Sequence, residues 1–450
     1  MAEGERRSGS DTIAAIATPP GRGAIGIVRL SGKDALAIAQ SITGVNLHPR
    51  HAHYVRFRDD QGGLIDHGIA ICFPKPNSFT SEDVVELQAH GSPVVLGLLV
   101  QAALKLGARP ARPGEFTERA FLNGRLDLPQ AEAVADLISS ASDQAARAAL
   151  ASLQGDFSQQ VNGLIEAINV SRAETEACLD FPDDSAAPTV PTVRVQPIIE
   201  LLDGLIRDAR RGIVMQEGIS VAIVGRPNAG KSSLLNRFAR LDRAIVSPIP
   251  GTTRDTVTAD VLLNGLPVSF TDTAGLREQA DLIEQEGMRR ARDVVSRADQ
   301  VLLVIPYGDT LLPSDREVIA ALPPGASLIL VRSKIDLATQ APQLLPPAAG
   351  QPFAEVWISA TQALGMDLLE QQIQEAAGRH EASEGAFSAR RRHLDALERA
   401  RASLTAQSDL APELLAEHLR LARQNLEVIT GAYSNEELLG EIFSRFCIGK

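Results

Sequence analysis

Eight residues, Gly225-Arg-Pro-Asn-Ala-Gly-Lys-Ser232, follow directly on the apolar run ISVAIV (residues 219–224) and constrain this chain's fold more than any other stretch. Glycines at this spacing, between a buried strand and a following helix, let consecutive backbone N–H groups converge on an anion at the helix N-terminus. The pattern demands a strand–turn–helix unit, and with it a phosphate-binding P-loop. The expected contacts are Asn228, Ala229, Gly230, Lys231, Ser232 and Ser233, with Lys231 reaching the terminal phosphates and the Ser232 hydroxyl suited to magnesium.

The segments VSFTDTAG, VLLVIP, SLILVRS and EVWISA repeat the texture of buried strands, separated by helical or mixed segments. Short apolar strands alternating with helices predict a doubly wound, mostly parallel sheet. A P-loop alone does not separate ATP from GTP, but three further elements occur in the order a guanine site requires. Asp272, Thr273, Ala274 and Gly275 end one strand, as a magnesium-proximal aspartate and a glycine sensing the γ-phosphate should. Ser333, Lys334 and Asp336 follow SLILV, and the Asp336 carboxylate matches the paired N1–H and exocyclic amine that guanine has and adenine lacks. Ser359, Ala360 and Thr361 follow VWI, where a backbone N–H would meet guanine O6. Ser333 stands where GTPases usually carry Asn, and its shorter hydroxyl is expected to weaken contact with the base and the P-loop. Leu276 occupies the place of the water-orienting glutamine of Ras-like GTPases, a task no aliphatic side chain performs.

The remainder of the 450 residues divides by texture. Residues 11 to about 124 mix short apolar runs with Gly/Pro punctuation and read as α+β. From about 128 to 180 apolar residues recur at helical steps, through Val134, Leu137 and Ile138 and again through Phe157, Val161, Leu164, Ile165 and Ile168. Residues 180–191 read as a loop, and helical texture returns after about 380. Hydrophobic residues at 44% and charged residues at 22% are those of a globular protein rather than a disordered one. Three widely spaced cysteines argue against a disulfide framework. There is no apolar signal-peptide core, and apolar stretches break well short of the ~18 residues of a membrane span, so a cytoplasmic location without membrane association is expected. The net charge of −12 argues against nucleic-acid binding through bulk electrostatics while leaving room for a local basic patch.

Longer blocks carry a family resemblance. TPPGRGAIGIVRLSG near the start, EDVVELQAHGSP, RPGEFTERAFLNGRLDLPQAEAVADLI, the nucleotide motifs with GTTRD at 251–255, and FCIGK at 446–450 closely resemble the MnmE (TrmE) family of bacterial tRNA-modification GTPases, within the TrmE-Era-Septin-like GTPases. The resemblance implies a multidomain α/β and α protein. Residues 1–126 would form an α+β domain similar to tetrahydrofolate-binding domains. Residues 127–217 and 380–450 would form a discontinuous helical domain, and 218–379 an inserted doubly wound P-loop GTPase domain. It implies a homodimer formed through the N-terminal domains, and a heterotetramer with an FAD-dependent partner, MnmG (GidA). Together they would place an aminomethyl or carboxymethylaminomethyl group on C5 of the wobble uridine of certain tRNAs. The carbon would come from 5-formyl- or methylene-tetrahydrofolate.

The resemblance also accounts for Leu276, because these GTPases use potassium in place of an arginine finger. Asn228 and the backbone carbonyls of Ser247, Ile249 and Thr252 would hold K⁺, and Thr253 would join Ser232 at Mg²⁺. The nucleotide contacts then extend over Ser247, Pro248, Ile249, Pro250, Gly251, Thr252 and Thr253, in a loop that its two prolines stiffen. Glu284 matches the family's catalytic glutamate, acting through a bridging water beside Lys231; from its acid-rich surroundings alone it reads as a solvated helix carboxylate.

For folate the matching positions are Arg29, Glu86, Arg125 and Lys450, with Arg125 where the family prefers lysine. Without the resemblance each reads as a surface ion-pair member. Cys447 reads as a small core residue and His90 as structural. Two competing functions remain at this point: a regulatory GTPase acting in ribosome assembly, and a folate enzyme with a vestigial GTPase domain. Intact Lys231, Ser232, Asp272 and Asp336 oppose the second, and the acidic total opposes the first.

Overall fold

A computed structural model describes residues 11–180, 192–240, 257–272, 294–323, 325–347, 353–377, 387–405, 412–432, 436–444 and 446–450. The chain separates into two compact units. The first comprises Met1–Ala135, Ser158–Pro191 and Ala406–Lys450; the second comprises Asp136–Phe157 and Thr192–Thr405.

The first unit is built on strands β1 (Ile13–Ile16), β2 (Gly23–Ser31), β3 (His53–Arg58), β4 (Leu64–Phe73), β5 (Val84–Gly91) and β6 (Arg109–Pro110). They form one sheet in the order β3-β4-β5-β2-β1-β6, antiparallel except for the β1–β6 pair. Val28, Leu30, Val85 and Leu87 point to one face and are buried. The helix Ala35–Thr43 closes over that face with Ala35, Ile38, Ala39 and Ile42, the three- and four-residue spacing of a single helical stripe. The helix Pro93–Lys105 adds Leu96 and Leu99 to the same core. A satellite core joins Leu128 and Ala131 to Leu439, Ile442, Phe443 and Phe446, and so anchors the segment that ends in FCIGK.

In the second unit, strands β7 (Ile219–Gly225), β8 (Val257–Leu263), β9 (Leu266–Asp272), β10 (Gln300–Pro306), β11 (Ser327–Ser333), β12 (Gln343–Leu345) and β13 (Ala354–Trp357) make one sheet. Its order is β12-β13-β11-β10-β7-β9-β8, with β13, β11, β10, β7 and β9 parallel and the two edge strands antiparallel. Alternate residues of one strand enter opposite cores: Val221, Ile223, Leu302 and Val304 on one face, Ala222, Val224, Val301 and Leu303 on the other. Burial on both faces explains why these strands read as continuous apolar runs rather than alternating ones. The doubly wound expectation therefore holds.

Helices flank this sheet in sequence. The Phe157 and Phe387 rings stack at 4.6 Å, the Ser388 amide donates to Ala148 O at 3.1 Å, and Arg390 pairs with Asp136 at 2.7 Å. Segments on either side of this sheet in sequence thus meet in space. Here the face read from sequence is wrong by part of a turn: Ile138 is 51% exposed, whereas Glu132 and Asp136 are buried. The charge of Arg390 explains the inward Asp136. Among the described residues no helix is long and apolar enough to cross a membrane.

Candidate functional site

The P-loop takes its shape from three backbone positions. At Gly225 φ is 149° and a Cβ would lie 2.2 Å from Val304 O, so no side chain fits between β7 and β10. Asn228 adopts a left-handed φ of 61°, a conformation asparagine tolerates better than most residues. Gly230, at φ 100°, then starts the helix Lys231–Ala239, whose first amides face the loop. Lys231 is buried and its Nζ donates to Arg226 O at 2.7 Å, folded across its own loop. The Ser232 hydroxyl donates to Asp272 Oδ2 at 3.1 Å. Two hard oxygen donors side by side, next to a helix N-terminus, are a donor set that fits magnesium.

Arg226 was not expected to matter. Its guanidinium donates to Thr310 O at 2.6 Å and pairs with buried Asp315, tying the P-loop to the segment after β10. Ser333 departs from the expectation of weaker contact with the P-loop. Its Oγ donates to Ala229 O at 2.6 Å within the protein interior, so the hydroxyl reaches the loop directly.

Beside that tie lies a cavity of about 200 Å³, lined by Ser233, Ser333, Lys334, Asp336, Ser359 and Ala360 among others. The sequence thus correctly brings three distant motifs to one place. Asp336 sits in the 3₁₀ turn Ile335–Ala338, set at the cavity by a left-handed Lys334 (φ 62°). Ser359 donates its amide to Leu364 O at 2.9 Å, and its hydroxyl lies 3.1 Å from Thr361 Oγ1. The Ser359 amide is thus engaged within its own turn, and Ala360 follows it at the cavity wall. Ser247, Pro248, Ile249, Pro250, Gly251, Thr252, Thr253, Thr273, Ala274, Gly275, Leu276 and Glu284 lie outside the described residues.

A second constellation occupies the first unit. Arg29 and Glu86 are cross-strand partners on β2 and β5, and the guanidinium donates through Nε (3.1 Å) and Nη2 (2.8 Å) to Glu86 Oε1. Both bonds end on one carboxylate oxygen. The Arg29 guanidinium stands over the rings of Phe79 and Phe116, 5.5 and 5.8 Å from their centroids. The Phe116 amide donates to Lys450 O at 3.2 Å, and Pro113 bridges to Ile448. Gly449 makes this approach possible: at φ 96° a Cβ would meet Ile16 O at 2.1 Å. Three of the four residues expected to meet folate therefore gather around Phe116, Lys450 through its backbone. A guanidinium, a carboxylate and two ring faces are a donor set that fits a planar heterocycle with an acidic tail. Arg125 lies on an exposed turn after the helix Glu115–Leu122, and no described contact joins its side chain to the other three. Cys447 is exposed, not a core residue, because Ile442 and Phe446 before it supply the anchor. His90 pairs with Asp66 at 2.9 Å, a structural role as expected.

Beneath Phe116 runs a charge network that the sequence hid. Glu115 is 2% exposed and pairs with Arg109 and Arg119, while Arg119 also meets Asp11 and Glu82. Burial pushes the Glu115 carboxyl up, but the Arg109 guanidinium, the Arg112 amide and Arg119 outweigh it and hold the group at about 2. Burial opposes the charge on Arg119, yet Glu82 and Glu115 raise its affinity for the proton. The only sequence signal was the i, i+4 spacing of Glu115 and Arg119 on one short helix.

Comparison with known proteins places these features in a lineage. A family model described as the MnmE helical domain matches residues 128–447, and one described as the GTP-binding protein TrmE N-terminus matches residues 12–125. The tRNA modification GTPase MnmE of Hydrogenovibrio crunogenus is 47% identical over 451 residues, covering 98% of this chain and 99% of its own length. That of Nitrosococcus oceani is 47% identical over 449 residues, covering 98% of this chain and 97% of its own. That of Marinobacter nauticus is 48% identical over 453 residues, covering 98% and 99%. With a P-loop between strand and helix and this similarity along nearly its whole length, the chain belongs to the MnmE family of tRNA modification GTPases.

Proposed function

We propose that the chain hydrolyses GTP to GDP and phosphate with potassium as activator, and that this cycle drives wobble-uridine modification. Working in the cytoplasm as a homodimer, with FAD-dependent MnmG (GidA), it would add an aminomethyl or carboxymethylaminomethyl group to C5 of uridine 34 in certain tRNAs. The one-carbon unit would come from a tetrahydrofolate held by an N-terminal domain of the tetrahydrofolate-binding type.

The observation that carries this reading is the pairing, on one chain, of the guanine cavity around Asp336 with the Arg29–Glu86 pair above Phe116. In the GTPase domain Asp336 and the Ala360 amide select guanine, Lys231 neutralises the terminal phosphates, and Ser232 with Thr253 holds magnesium near Asp272. Asn228, with carbonyls of Ser247, Ile249 and Thr252, holds the potassium ion that takes the place of an arginine. Glu284 orients the attacking water through a second water, which Leu276 cannot do. In the N-terminal domain Glu86 pairs with the donor edge of the pterin, while Arg29, Arg125 and Lys450 meet its acidic tail or formyl oxygen.

Mass analysis of wobble uridines in tRNA from cells lacking this protein tests the reading. Unmodified or incompletely modified uridine 34, restored by re-expression, is the expected result. An unchanged uridine profile overturns it.

A further inference from the structure

Backbone and side chain of Arg226 serve different partners. The carbonyl works inside the P-loop, accepting from the Ala229 amide at 3.2 Å and from Lys231 Nζ at 2.7 Å. The guanidinium leaves the loop: Nη2 donates to Thr310 O at 2.6 Å and to Asp315 Oδ2, and Nη1 lies 3.5 Å from Asp309 Oδ2. Asp315 is 3% exposed, in the first turn of the helix Pro313–Ala320, and its Oδ2 also accepts from the Leu312 amide at 2.9 Å. The carboxylate is thus a fixed post to which the loop is tied.

The same segment is held from β11. Arg332 donates through Nη1 to Asp309 O at 2.6 Å and through Nε to Glu355 Oε1 at 3.2 Å. Ser333, next in the chain, holds Ala229 O at 2.6 Å. These ties close a ring that runs from the P-loop through Arg226 to residues 309–315, through Arg332 to β11, and back through Ser333. Only Pro227 and Asn228, both exposed, lie between the two anchored points of the loop. A left-handed Asn228 held at both ends has little freedom to relax.

Arg226 Nε is buried with no hydrogen-bond partner among the described residues. An ion pair that includes such a cost is weak ground for stability, which leaves placement of the loop as what it supplies.

We propose that Arg226 and Asp315 are a positioning pair for GTP hydrolysis, holding the first turn of the P-loop in its nucleotide-receiving shape and acting through the loop's backbone. Loop amides already in place need no reordering when phosphate arrives. The loop serves substrate, transition state and product alike, so loosening it removes uniform binding: KM rises while kcat is kept.

The test is steady-state GTP hydrolysis and GDP displacement by the full chain, in one potassium buffer for every variant. Arg226→Met keeps the aliphatic stem and removes the donors. It should raise KM for GTP and the GDP dissociation constant about tenfold, with kcat moved less than about twofold. Asp315→Asn keeps an acceptor for the Leu312 amide and should have the same effect. In the double variant KM should stay near that of either single change, because both remove one interaction. Arg226→Lys pairs with Asp315 but lacks the fork that also reaches Thr310 O, so KM should rise only about threefold. A merely structural pair would lower kcat through lost active protein and leave KM constant. Three results overturn the proposal: unchanged KM and GDP affinity in Arg226→Met, a fall in kcat with KM kept, or single effects that multiply in the double variant. Where Arg226→Met does not fold, Arg226→Lys carries the test, and a wild-type KM in it overturns the proposal.

Discussion

The backbone amide of Phe116 donates to the carbonyl of Lys450 at 3.2 Å, directly beneath the Arg29 guanidinium. Exposed tails ordinarily fray and tolerate truncation, yet the segment Phe446–Lys450 is threaded past Ile16 at a glycine and held by the Phe443–Phe446 anchor. Deleting Gly449 and Lys450 should therefore weaken formyl-tetrahydrofolate binding and abolish wobble-uridine modification, with GTP hydrolysis preserved. Binding by fluorescence or calorimetry, alongside tRNA mass analysis, checks it. Persistence of both after truncation would reduce the tail to a structural plug.

Ser333→Ala removes the bond to Ala229 O and leaves a buried acceptor unmatched. A loss of this kind is worth roughly 1 kcal/mol, so GDP affinity should fall about 3- to 10-fold. Guanine preference should not change, because Asp336 is untouched. Equal affinity in a nucleotide-displacement assay would show that the hydroxyl does not support the loop.

Asp336→Asn keeps the side chain's size but removes the carboxylate to which the proposed function assigns two guanine donors. Discrimination against xanthine nucleotides should fall by roughly 100-fold or more, since matched buried donors and acceptors give this order of selectivity. Competition binding with GDP, XDP and ADP measures it. Unaltered exclusion of XDP would remove Asp336 from the base-reading role.

Glu115 makes a pH prediction. Its folded-state pKa is depressed from 4.5 to about 2, so its stabilisation is fully present above about 4.5 and is lost as pH falls toward about 2. Glu115→Gln should lower the stability of the first unit at pH 7 by an amount on the order of 2 kcal/mol. The difference between wild type and variant in urea unfolding should shrink steadily below pH 4.5. A difference that stays constant down to pH 3 would show that the charge contributes nothing.

The parts legible in the sequence are those where backbone geometry or local periodicity dictates the residue. Gly225 and Gly230 are forced by a close approach and a left-handed turn, and the run VLLVIP is forced by burial on both faces of a sheet. What escaped is decided by partners far along the chain. Ser333 reads as a deficient asparagine until Ala229, 104 residues away, is seen to accept its hydroxyl. Asp136 obeys no pattern of surface charge because Arg390, 254 residues away, neutralises it inside. The edge strands β8 and β12 escaped for another reason: an antiparallel edge strand needs no continuous apolar run.

The most direct test of the central claim is steady-state GTP hydrolysis by the purified chain in potassium and in sodium buffers of equal ionic strength. Hydrolysis several-fold or more faster in potassium, lost in Lys231→Ala and made insensitive to potassium in Asn228→Ala with GTP binding retained, is the predicted result. Equal rates in the two salts, or full activity in Lys231→Ala, would contradict the account.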